Sequence, residues 1–151
     1  MKISKEEILK MPAGREIDAL VAEEIFGYRW VEGILAFGQP CLISPEHYEN
    51  TKVPIANTNK RKIGGTFPRY SIKISDAWKI IEKIRKSQTP IRLFGDEWYD
   101  GGSWRVDIMD IVDEKAIHSA YIESMVNEKH AWEEPNVCLA ICRVALLTII
   151  L

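Results

Sequence analysis

Apolar and polar positions along this chain change period several times, and each change marks an element. Ser4 ahead of Glu6, Glu7, Ile8 and Leu9 predicts a short helix with a hydroxyl N-cap, ended by Pro12 and Gly14. A second helix is predicted from Gly14 to Phe26. There Ile17, Leu20, Val21 and Ile25 recur at helical spacing, with Glu16, Asp18, Glu23 and Glu24 on the other side. Gly27 stands where a left-handed residue ends such a helix. Tyr28 to Phe37 then predicts a first strand, carried by Tyr28, Trp30, Val31, Ile34, Leu35 and Phe37.

The stretch from Gly38 to Tyr70 keeps no period and contains Pro40, Pro45, Pro54 and Pro68. It reads as a long loop, a kind of segment that in a compact domain is either functional or disordered. Ser75-Asp76 opens the most regular helix, Ala77 to Lys86, with Ala77, Ile80, Ile81 and Ile84 as its stripe and a cationic last turn. Ile91 to Phe94 predicts a strand, Asp100-Gly101-Gly102 a turn, and Trp104 to Met109 the returning strand of a hairpin. Between Asp110 and Glu134 the pieces Ala120-Tyr121-Ile122 and Met125-Val126 fit another strand or one short helix. Pro135 suits the first position of a closing helix, Asn136 to about Ile150, apolar nearly all round and so expected at the centre. The expectation is an α+β fold, a small antiparallel sheet packed with helices, in a single domain over residues 1–151.

Composition adds a boundary and one asymmetry. At 46% hydrophobic and 28% charged, 151 residues can bury a core, which excludes a disordered or fibrous chain. The net charge of −2 disfavours a globally basic, duplex-coating protein. That total hides a segregation: residues 1–50 carry a net −4, residues 51–105 a net +7, and residues 106–151 a net −5. A basic middle third between acidic ends can build local positive potential for an anionic ligand, or can pack against the acidic segments. The opening residues lack the apolar core of a secretory signal. The apolar run Val137 to Leu151 spans about 22 Å as a helix against a bilayer core of about 30 Å, so no membrane partner is expected. Three cysteines, Cys41, Cys138 and Cys142, fit a reducing cytoplasm.

Catalytic signatures are weak. His47, His118 and His130 have no Cys, Ser or second His at a recognised spacing. Asp96, Glu97 and Asp100 cluster near the hairpin turn without calcium-loop spacing and read as a solvated turn. The pair Cys138 and Cys142 lies at i, i+4 with no nearby His and reads as buried small hydrophobes. Lys60-Arg61-Lys62 before Gly64-Gly65-Thr66 suits an anion-binding loop but lacks the P-loop pattern. No enzyme, metal or cofactor is expected. The denser signal is cations beside aromatics: Lys60, Arg61, Arg69 and Tyr70 ahead of the middle helix, and Trp98, Tyr99, Trp104 and Arg105 in the hairpin with Arg92 and Phe94. Aromatic faces stack nucleobases and guanidinium groups grip phosphates, while alternate strand aromatics equally serve a core.

Three segments resemble the phage ABA sandwich domain family. Gly14-Arg15-Glu16-Ile17-Asp18-Ala19-Leu20-Val21-Ala22-Glu23 is similar to its opening G-R-E-[LM]-D-x-L-[IV]-A-E. Tyr70-Ser71 through Ala77-Trp78 to Glu82-Lys83 is similar to its Y-S-x-[DN]-x-x-x-A-W-x-[VI]-[VI]-E-K. Pro135 through Ile141-Cys142-Arg143 to Leu147 is similar to its closing A-P-x-A-I-C-R-A-x-L. The long Gly38–Tyr70 segment and the Asp110–Trp132 segment depart from the pattern. The resemblance implies a small α+β sandwich carried by phages, with motif residues that serve as scaffold, Ala77 and Trp78 among them as a helix packing on a sheet. Phage setting and size together suggest an anti-defence sponge in the host cytoplasm, a homo-oligomer holding a nucleotide-derived immune signal such as a cyclic ADP-ribose isomer or cyclic oligonucleotide. The alternative is an accessory module that binds a host or phage protein.

Overall fold

The computed structural model describes residues 3–32, 40–51, 54–56, 64–86, 91–96, 103–109, 116–123 and 137–150. Helix α1 (Lys5–Lys10) starts at a reciprocal cap: the Glu7 N–H donates to Ser4 Oγ at 3.2 Å, and the Ser4 N–H to Glu7 Oε2 at 2.7 Å. Helix α2 (Arg15–Glu24) buries Ile17, Val21 and Ala22 along the predicted stripe, together with Asp18. Gly27, at φ +73°, turns the chain back so that the Tyr28 N–H reaches the Ala22 carbonyl at 3.0 Å.

Strand β1 (Arg29–Val31) pairs antiparallel with β2 (Cys41–Ile43), and β2 pairs parallel with β3 (Gly64–Gly65). Between β2 and β3 lies helix α3 (Pro45–Thr51), opened by Ser44 Oγ accepting from the His47 N–H at 3.2 Å. The loop expected from Gly38 to Tyr70 is therefore corrected over its described parts. Two or three residues are too few to display an alternation, and β2 is buried at all three positions, so no polar face breaks its pattern. Residues 54–56 extend β1 on its other side, where the Ala56 N–H donates to the Trp30 carbonyl at 2.8 Å.

Helix α4 (Ile74–Lys86) begins slightly earlier than predicted and buries Ala77, Ile80 and Ile81. Trp78 does not pack as expected. It is 47% exposed, because Ala77 and the two isoleucines already fill the inward face. The hairpin forms as predicted from β4 (Ile91–Asp96) and β5 (Ser103–Met109); its turn residues 97–102 lie outside the described residues. The ambiguous region supplies β6 (Ala116–Glu123), antiparallel to β5, giving a sheet in the order β4-β5-β6. The fold is α+β.

Helix α5 (Val137–Ile150) is the centre. Residues 138–147 are buried except for half-buried Arg143, and the helix touches α1, α2, α4, β5 and β6. Arg143 turns its guanidinium onto the Met11 carbonyl, through Nη2 at 2.7 Å and Nε at 3.2 Å. Cys138 and Cys142 are buried core residues, and burial pushes both thiols up, well up for Cys142. They pack here as small hydrophobes of the core.

Gly65 is the tightest backbone approach described. Its φ is +123°, and a Cβ there would lie 2.5 Å from the Leu42 carbonyl oxygen and 2.9 Å from the Leu42 nitrogen. Gly65→Ala should therefore separate β3 from β2 and cost about 1–3 kcal/mol, the usual scale for backbone strain of this kind. A urea midpoint unchanged from the parent protein would contradict this.

Candidate functional site

The sheet β4-β5-β6 sorts the hairpin residues by register. Phe94 stands opposite Arg105, and Arg105 opposite Tyr121, in one row across three strands; Arg92, Asp107 and Ser119 form the next row on that face. Ile91, Leu93, Trp104, Val106 and Ile122 occupy register positions on the other face. Trp104 and Arg105, expected to share a site, thus belong to opposite faces. Tyr121 was not among the predicted site residues, since its segment had no settled period. Its place beside Arg105 follows only from the pairing of β5 with β6.

Arg69 and Tyr70 also part company. Arg69 is exposed, and its backbone N–H donates to Asp76 Oδ2 at 3.0 Å. Tyr70 is 1% exposed and stacks on Phe26, with ring centroids 5.0 Å apart and planes 5° from parallel. Burial pushes its phenol well above the usual range. Tyr70 is a core residue and offers no face to a ligand, which corrects the expectation for it. Lys60, Arg61, Trp98 and Tyr99 lie outside the described residues. A cation the sequence did not single out for a site is Arg15. It is exposed, with Nη2 donating to the Gly65 carbonyl at 2.8 Å and the guanidinium 4.7 Å from the Phe67 ring centroid. Its only signal in sequence was membership of the opening motif. Among the described residues, no group of three or more His, Cys, Asp or Glu side chains is placed to hold a metal ion. No helix there is long and apolar enough to cross a membrane.

Two carboxylates brace this region. Asp18, 3% exposed on α2, accepts the Ser71 N–H at 2.7 Å, while Ser71 Oγ accepts the Gly14 N–H at 2.9 Å. Burial raises the Asp18 carboxyl, and its hydrogen bonds from Ser71 only partly offset that. Asp76 behaves oppositely. Desolvation raises it, but the Arg69 N–H and Lys79, whose Nζ lies 3.2 Å from Oδ1, outweigh that and hold it below the usual value.

The sign for Asp18 follows from linkage. With the folded value raised above the ordinary 3.8, its favourable contribution is complete below 3.8 and is lost as pH rises through the folded value. Asp18→Asn lacks this titration, so the wild type should lose stability relative to the Asn variant as pH climbs from 3.8. Urea midpoints of both proteins measured across that window check it, and a difference that grows in the wild type's favour would contradict it. Asp18→Ala, which strands the buried Ser71 donor, should cost about 1–3 kcal/mol at any of these pH values.

Comparison of the chain with protein-family models, with curated proteins and with solved structures gives no match, so its own residues and geometry carry the functional reading.

Proposed function

We propose that the protein is a non-enzymatic, phage-encoded binder of a small nucleotide-like ligand, one that sequesters a nucleotide-derived immune signal and so blocks host anti-phage defence. The observation that carries this reading is the in-register row Phe94, Arg105 and Tyr121, with Arg92 on the same sheet face. Two aromatic residues flanking a guanidinium match a ligand with bases to stack and phosphates to grip. Stacking contributes about 1–3 kcal/mol per base, and arginine holds phosphate through paired hydrogen bonds. The opposite face, with Ile91, Leu93, Val106 and Ile122, has the composition to cover α5, which contacts β5 and β6. That division leaves the face of Phe94, Arg105 and Tyr121 for the ligand.

Exposed Arg69 and the cations of residues 51–63 add positive charge within the +7 middle third. A binder of this kind retains its ligand and breaks no bond, so it needs no nucleophile, base or metal. Among the described residues, strands β4 and β6 are the two edges of their sheet. Edge pairing between copies would extend the platform, which makes a homo-oligomer part of the proposal. The proposed place of action is the host cytoplasm.

The test is a thermal-shift and calorimetric panel of cyclic ADP-ribose isomers, cyclic dinucleotides and linear nucleotides, followed by heat release and chromatography of whatever bound. At least one member should raise the melting temperature and return chemically unchanged. Arg105→Ala should weaken its binding about tenfold or more, the range for losing a charge-assisted contact. A panel with no binder, or a ligand returned cleaved, would refute the proposal.

A further inference from the structure

The outer side of α4 is unusual for a solvated helix. Ile74 and Trp78 are 54% and 47% exposed, and Ile72, two residues before the helix, is 57% exposed. Ile74 and Trp78 stand at i, i+4, so their side chains are neighbours on one ridge, with Cβ atoms about 5–6 Å apart. The inward face does not need them, being filled by Ala77, Ile80 and Ile81. Single exposed apolar residues are ordinary, but adjacent Ile and Trp on one ridge form a patch.

The charges around that patch lean positive. Arg85 continues the line of Ile74 and Trp78 toward the C-terminal end, while Lys79 and Lys86 run along one flank; all three are exposed. Asp76 and Lys79 are paired with each other, which leaves Arg85 and Lys86 against the single acid Glu82 on the outer face. Like charge argues against a twofold pairing of this face with itself in a second copy, which would set Arg85 and Lys86 near their own equivalents. A partner with apolar anchors set among carboxylates answers both features. A helix is the natural form, because an i±4 ridge such as Ile74–Trp78 packs into the groove of another helix.

We propose that the outer face of α4 docks an acidic amphipathic helix of a partner protein, with Ile74 and Trp78 meeting its apolar side chains and Arg85 and Lys86 meeting its carboxylates. This surface is separate from the sheet face proposed for the nucleotide, and neither reading depends on the other.

A displayed library of random peptides of about 16 residues, roughly four helical turns, would be selected on the full chain. The competing surface would be the double variant Ile74→Ala, Trp78→Ala, whose fold is checked by circular dichroism. Both positions are exposed, so the variant should fold, and it should keep any nucleotide binding of the parent. The expected winners are net acidic, with apolar residues at i, i+3 or i+4. They should bind the wild type at least about tenfold more tightly than the variant, the loss typical of removing an aromatic anchor, and should weaken as salt is raised. Arg105→Ala should bind them like the wild type. The proposal is overturned if no peptide depends on Ile74 and Trp78, or if those that do are neutral or basic. It is also overturned if sedimentation shows self-association that the double variant abolishes, which would make a second copy the occupant. Binding of oligo-dT through Trp78 without acidic peptide binding would overturn it in favour of single-stranded nucleic acid.

Discussion

A helix that is apolar on every side has to be enclosed on every side, and α5 imposes that requirement on this fold. From Cys138 to Leu147 only Arg143 is not fully buried. No single layer can cover a cylinder of that kind, so the cover comes from α1, α2 and α4 together with strands β5 and β6. The amphipathic helices α2 and α4 each contribute one stripe, and Ile17, Val21, Ile80 and Ile81 share a core cluster with Ile141, Leu146 and Leu147. Burying apolar area is non-directional. Something else must decide how the covering elements sit.

Polar contacts decide it at a few points. Arg143 holds the Met11 carbonyl, Ser71 holds Gly14, Asp18 holds Ser71, and Arg15 holds the Gly65 carbonyl. Each joins segments far apart in sequence, and each satisfies a backbone group near a chain reversal. Gly14, Asp18, Ser71 and Arg143 also lie in the three segments expected to serve as scaffold, and here they are joints. A residue engaged in fixing the backbone has little left to offer a ligand.

Much of this was legible in the chain. The Ser4–Glu7 cap, the stripe of α2 and the cationic end of α4 each depend on residues within one or two turns, so local spacing revealed them. The segment holding β2, α3 and β3 was not legible. Its strands have two or three residues, and one pairing is parallel and non-local, with no local trace. Tyr70 and Arg69 show the same limit for the site. An aromatic next to a cation looks like a recognition pair in sequence, yet the backbone turns one ring inward onto Phe26 and leaves the other side chain outside. Trp104 and Arg105 are separated by the simplest rule of a strand, that successive residues take opposite faces. What sequence could not supply was the partner strand, and hence Tyr121.

The contact between Arg143 and Met11 joins residues 132 positions apart. During synthesis, α1 and α2 leave the ribosome long before the helix that covers their apolar stripes exists. Until α5 emerges, Ile8, Ile17 and Val21 have only the earlier members of their cluster, such as Leu42, Tyr70, Ile80 and Ile81, and part of that surface stays uncovered. Completion of this core therefore waits on the closure of distant contacts, which is slow for non-local topologies. The interval in which a chaperone or a neighbouring chain can intercept it is set by the time taken to synthesise the residues between the first helices and the last.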